Sequence, residues 1–79
     1  MLGVEWEMKS PTGKSKRTIE QSFRKAVTQS KYIIFDLRRI NLKEEKCIGE
    51  LQHRFDTKTY VKRLIIIKKN GEMIDMVRK

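Results

Sequence analysis

Apolar and polar positions alternate strictly from Gly3 to Lys9. That pattern predicts a strand with Val4, Trp6 and Met8 on one face and Glu5, Glu7 and Lys9 on the other. The polar run from Ser10 to Arg17 holds the only proline and reads as a connection. Thr18 then stands where a helix N-cap would, with Gln21 three residues on to close a capping box. Ile19, Phe23, Ala26 and Val27 follow helical spacing and give one apolar stripe. Arg24, Lys25 and Gln29 lie away from its centre, and the helix is expected to end near Ser30.

The segment Tyr32 to Leu37 is β-branched, aromatic and almost wholly apolar, as in a central strand covered on both faces. Arg38-Arg39-Ile40 is a basic link. Asn41 with Glu44 offers a second capping box. Cys47, Ile48, Leu51 and Phe55 form the apolar face of a helix running to about Phe55. After a polar stretch from Asp56 to Thr59, Val61 to Lys68 reads as a buried strand with basic ends. Asn70-Gly71 suits a type I′ hairpin, in which both central residues take positive φ, and Met73 to Val77 is the return strand. The predicted order is β-α-β-α-β-β: an α/β fold with a mixed sheet, two crossovers between parallel strands and a C-terminal antiparallel hairpin. No repeat, low-complexity tract or boundary divides the chain, so residues 1–79 are read as one domain.

Composition narrows the partners. The 79 residues carry 19 Lys+Arg against 10 Asp+Glu, a net charge of +9 that attracts polyanions such as nucleic acid. A lysine-rich surface that keeps a small protein soluble accounts for the same count. One cysteine, Cys47, allows no internal disulfide, and with the single histidine, His53, it cannot assemble a Cys₄ or Cys₂His₂ zinc site. The longest apolar run, Leu64 to Ile67, is far short of the ~20 residues that span a bilayer. The acidic start lacks the pattern of a signal peptide, and a cytoplasmic location is expected.

The chemistry concentrates in Glu5-Trp6-Glu7-Met8-Lys9. Two carboxylates and an ammonium on one strand face, Cα atoms of alternate residues about 6.5 Å apart, can hold a hard divalent cation beside a positive charge. Alternating acid and base on a solvated strand face gives the same pattern. Lys14, Lys16 and Arg17, just before a helix N-terminus that favours anions, are placed to fix a phosphate. Gly13-Lys14-Ser15 echoes the end of a phosphate-binding loop, but the earlier glycine is missing, and that motif is rejected. Asp36 is read chiefly as capping its strand's exit, His53 as solvated and Cys47 as a core thiol. Arg38, Arg39, Lys62, Arg63, Lys68 and Lys69 flank strand ends, either as a backbone-contacting surface or as solvated charges.

The run Val4 to Pro11 with Thr18-Ile19-Glu20 resembles the Glu-x-Lys strand and following helix of the PD-(D/E)XK nuclease superfamily. More narrowly, the chain is similar to the C-terminal tRNase domains of contact-dependent growth inhibition toxins, and to related domains of phage head-morphogenesis-like proteins. Ala26-x-x-Gln29-Ser30, Phe35-Asp36-Leu37-Arg38-Arg39, Glu45-Lys46-Cys47-Ile48 and Lys62-Arg63-Leu64-Ile65-Ile66 carry the similarity along nearly the whole chain. The resemblance implies a restriction-endonuclease-like core, with Glu7 as metal-binding carboxylate, Lys9 as catalytic lysine and Gln29 positioning the lysine or the substrate. It further implies Mg²⁺ or Mn²⁺, a bacterial or mobile-element setting and an immunity protein. The family's metal-binding Asp, which precedes the Glu-x-Lys strand, has no counterpart here. The expectation is therefore an N-terminally truncated domain, with Glu5 as the candidate second carboxylate.

Three readings follow. The first is a metal-dependent nuclease-like domain acting on RNA or DNA through Glu7 and Lys9, with Gln29, Lys14, Lys16, Arg17, Arg38 and Arg39 on the substrate. The second is a nucleic-acid-binding module without catalysis. The third is an assembly piece, homodimeric through an open sheet edge.

Overall fold

The computed structural model describes residues 5–15 and 17–78. The elements run β1 (Trp6–Lys9), α1 (Thr18–Val27), β2 (Tyr32–Asp36), α2 (Glu44–Thr57), β3 (Arg63–Ile67) and β4 (Met73–Val77). The expected β-α-β-α-β-β order is observed, and the sheet is mixed: β1 and β3 flank β2 in parallel, and β4 pairs antiparallel with β3. Strand order in the sheet, β1-β2-β3-β4, is chain order. Gly3 and Val4, the start of the expected first strand, lie outside the described residues, as does Lys16.

Both crossovers turn the same way, so both helices pack on one face of the sheet. Register puts Ile33 beside Leu64 and Phe35 beside Ile66 on that face. All four are buried with Ile19, Phe23 and Ala26 of α1 and with Cys47, Leu51 and Phe55 of α2. The rings of Phe23 and Phe35 stack with centroids 6.2 Å apart, tying α1 to β2. The opposite face is open. Met8, Met73 and Val77 are 51%, 68% and 57% exposed there, and Trp6 is 37% exposed. The expectation that β2 is covered on both faces is thus corrected: Ile33 and Phe35 are buried, while Tyr32 and Ile34 are only half-buried. An apolar strand reveals its centrality but not how many of its faces a helix reaches.

Neither capping box forms. Thr18 is the first residue inside α1, and no side chain caps the helix. Thr18 lies so close to Gly13 that a Cβ there would sit 2.6 Å from its hydroxyl. Ser15 serves the first turn instead: its carbonyl accepts from Thr18 N–H at 3.1 Å and its hydroxyl from Arg17 N–H at 3.2 Å. Asn41 likewise does not cap α2. Its N–H donates to Gly13 C=O at 3.2 Å, Ile40 is buried and Leu42 packs on the core, so the helix starts only after this apolar stretch is seated.

The other end of α2 is held by Arg78, which sequence reasoning did not single out. Its guanidinium donates to the carbonyls of Val61 at 2.9 Å, Lys58 at 3.3 Å and Phe55, and lies 4.3 Å from the Phe55 ring centroid. It thereby satisfies carbonyls that a helix terminus leaves orphaned.

The hairpin is also not type I′. Gly71 has φ of 89°, and no non-glycine residue among those described has positive φ. Gly71 N–H donates to Lys68 C=O at 2.9 Å and Lys68 N–H to Glu72 C=O at 2.7 Å. These bonds enclose the three-residue loop Lys69-Asn70-Gly71, a type I turn followed by a left-handed glycine. Asn70 is used through its side chain, which accepts from Glu72 N–H at 3.0 Å.

Candidate functional site

Strand β1 turns its polar side to the helix-covered face. Glu7 is in register with Ile33 and Lys9 with Phe35, both buried under the helices, whereas Trp6 and Met8 face the open side. Charged residues on the face that elsewhere builds the core break the local rule of burial, and such breaks are expected at functional sites. The Lys9 ammonium lies 3.1 Å from Glu7 Oε2, with the two side chains 24% and 26% exposed. Gln29, just past the C-terminus of α1, completes the cluster. With its amide nitrogen turned towards β1, the orientation the surrounding acceptors require, it donates to Glu7 Oε1 at 2.8 Å and also contacts Oε2.

Ser30 fixes this geometry. Its hydroxyl donates to Glu5 C=O and accepts from Tyr32 N–H at 3.0 Å, binding the start of β1 to the turn that carries Gln29. The Gln29 and Ser30 amides both end on Ala26 C=O at 3.0 Å, which closes α1 and aims Gln29 at the strand. Behind β1, on the open face, the rings of Trp6 and Tyr32 meet at 5.5 Å and Arg63 sits 5.7 Å from the Trp6 centroid.

Glu7, Lys9 and Gln29 are therefore brought together. Glu5 is exposed just before β1, tied to Ser30 through its backbone. Asp36 goes elsewhere. It is buried, and accepts from the Arg38 guanidinium at 3.0 and 2.8 Å and from Arg38 N–H at 3.0 Å. These bonds, with Arg39 nearby, outweigh burial and hold its carboxyl below the usual range. It is a strand-exit cap, and Arg38, expected on the substrate, is committed to it. Arg39 is exposed.

Lys14 joins α2 instead. With Ile19, Leu42, Lys46, Cys47 and Glu50 it lines a groove of about 370 Å³ between the two helices. Cys47 at its floor is buried, and burial pushes its thiol up, in keeping with a core thiol. His53 is exposed. Arg63 is paired with Asp75, and Lys68 lies 3.8 Å from Glu44 and 3.5 Å from Glu72.

Among the described residues no three His, Cys, Asp or Glu side chains gather around one point. Glu7, with Glu5 two residues earlier, is the available donor set. Carboxylate oxygens are hard donors of the kind an ion such as Mg²⁺ takes while keeping several of its own waters, and two of them make no all-protein cage. No helix among the described residues is long and apolar enough to cross a membrane.

A one-sided mixed sheet that turns an acid and an ammonium onto its helix-covered face, where an amide from the end of α1 meets them, defines a small α/β domain with a polar site on its first strand. The chain belongs to the contact-dependent growth inhibition CdiA C-terminal domain family, whose model matches residues 1–73. No match is found among curated proteins or among solved structures.

Proposed function

We propose that this member of a growth-inhibition family is a metal-dependent, nuclease-like domain of PD-(D/E)XK type, cleaving phosphodiesters of RNA or DNA through Glu7 and Lys9. The observation that carries the reading is the Glu7 carboxylate clamped between the Lys9 ammonium and the Gln29 amide. In phosphodiester cleavage negative charge grows on the phosphoryl oxygens, and a fixed ammonium beside them lowers the barrier. Lys9 supplies that charge and can orient the attacking oxygen. Glu7 accepts a proton or aligns the nucleophile. Gln29 holds the Glu7 carboxylate in one rotamer, so that no reorganisation is needed when substrate arrives. Mg²⁺ or Mn²⁺ bound at Glu7 and Glu5 would add charge neutralisation and a water of lowered pKa.

The site works on nucleic acid in the cytoplasm, under this reading, and a producing cell needs an immunity protein against it. The net charge of +9 favours an acidic partner for that task. Among the described residues the outer edges of β1 and β4 have no strand beside them, which offers a route to homodimers.

The test is cleavage of mixed tRNA and of plasmid DNA with Mg²⁺ or Mn²⁺, beside EDTA and Lys9→Ala controls. Metal-dependent cutting that falls at least a hundredfold in Lys9→Ala is expected, and the substrate that is cut gives the class. A folded sample that cuts neither would refute catalysis and leave binding without chemistry.

A further inference from the structure

We propose that the outward face of α1 is the track on which the phosphodiester backbone of a nucleic acid lies as it reaches Glu7 and Lys9. This rests on the nuclease reading of that site and goes beyond it by naming the surface and its direction. Arg17, Gln21, Lys25 and Gln29 follow one another at four-residue spacing and all are exposed, with Arg24 beside them. Residues four apart are neighbours on a helix surface; Gln21 and Lys25 lie within α1, with Arg17 just before it and Gln29 just past it, in a row that slants along the helix. The row ends on Gln29, which touches Glu7.

Two features single out this face. The first is the absence of competing acid. Glu20, the only carboxylate of α1, is turned to Arg54 at 3.0 Å. The exposed side of α2 mixes Glu45 and Asp56 with Lys46 and His53. The second is the state of the arginines. Arg38 is held by Asp36, Arg54 by Glu20 and Glu50, Arg63 by Asp75, and Arg78 by the carbonyls that end α2. Arg17, Arg24 and Arg39 have no acidic side chain within ion-pair distance among the described residues; of these, Arg17 lies on the α1 row and Arg24 beside it. A guanidinium already forked onto a carboxylate offers little to a phosphate; an unpaired one offers its whole donor set. The uncharged glutamines between the cations can donate to phosphate oxygens without adding charge.

The test is fluorescence anisotropy with fluorescein-labelled single-stranded RNA, and DNA of the same sequence, in EDTA over a series of salt concentrations. The wild-type chain is compared with Arg24→Gln/Lys25→Gln and with Lys62→Gln/Lys69→Gln, which removes equal charge from exposed positions around β3. The α1 variant should bind both strands about tenfold more weakly. Its log–log salt slope should be shallower by about 1.4, the loss of two phosphate contacts at about 0.7 each. The β3 variant should change less than twofold. Equal weakening of the two variants, no weakening of the α1 variant, loss on only one kind of strand, or no binding by the wild-type chain would each overturn the track.

The nuclease reading fails separately. Binding along α1 without metal-dependent cleavage would sink that reading and leave the track. Cleavage by Arg24→Gln/Lys25→Gln with unchanged KM would sink the track and leave the nuclease.

Discussion

Asp36 shows how a single carboxylate can look functional in sequence and be structural in space. It stands at the end of an apolar strand, where many catalytic acids stand, yet its oxygens are spent on the side chain and N–H of Arg38. Because those bonds depress its folded pKa, its contribution to stability is complete above the unfolded value of about 3.9. It is lost as pH falls through the lower folded value. Urea midpoints followed by circular dichroism from pH 6 to pH 2 should therefore fall more steeply in the wild-type chain than in Asp36→Asn; parallel curves would contradict this. The grouping of Glu7, Lys9 and Gln29 in space is legible in the sequence because a Glu-x-Lys strand and a downstream Gln form a recognisable pattern. For Arg24 and Lys25 the sequence shows only that they lie off the apolar stripe. The lack of acid on their side of α1 was visible in the sequence, but the turning of Glu20 to Arg54, 34 residues away, was not.

Local signals located the elements well and their ends less well. The strand Met73–Val77 is found where the preceding Asn-Gly turn places it. The two helix starts differ because they depend on how the Gly13 loop seats, close against Thr18 and bonded to the distant Asn41. Composition carries no trace of those contacts. Asn70-Gly71 marks the turn correctly, yet the extra loop residue changes its type, since only Gly71 takes positive φ. Two glycine substitutions separate backbone strain from space, because a Cβ at either Gly49 or Gly71 would meet nothing within 4 Å. Gly71→Ala should cost about 1–2 kcal/mol through its left-handed backbone. Gly49→Ala, in the middle of α2, should add up to about 1 kcal/mol of stability. Thermal melts of the two variants moving in the same direction would contradict this account.

For the whole molecule, the one-sided sheet sets two tendencies against each other. The open face exposes Trp6, Met8, Met73 and Val77 around the Arg63–Asp75 ion pair, while a charge of +9 drives copies apart. The repulsion reaches about 30 Å at 0.01 M salt and only about 3 Å at 1 M. Light scattering at micromolar concentration should accordingly show monomers at low ionic strength and association as salt is raised. Met8→Lys/Val77→Lys should stay monomeric throughout, and a wild-type chain that never associates would argue that the face is not adhesive. The sheet has a further consequence because it is laid down in chain order. β2 joins β1, β3 joins β2 and β4 joins β3, so no strand waits for a partner from the far end of the chain. Only the β3–β4 hairpin closes a short loop, while the β1–β2 and β2–β3 pairings each close over one helix crossover, so the hairpin is the pairing with the smallest entropic barrier. Each strand added to the sheet therefore rests on the one before it in the chain, and the sheet can be extended from the β3–β4 hairpin back to β1 without threading a strand between two others.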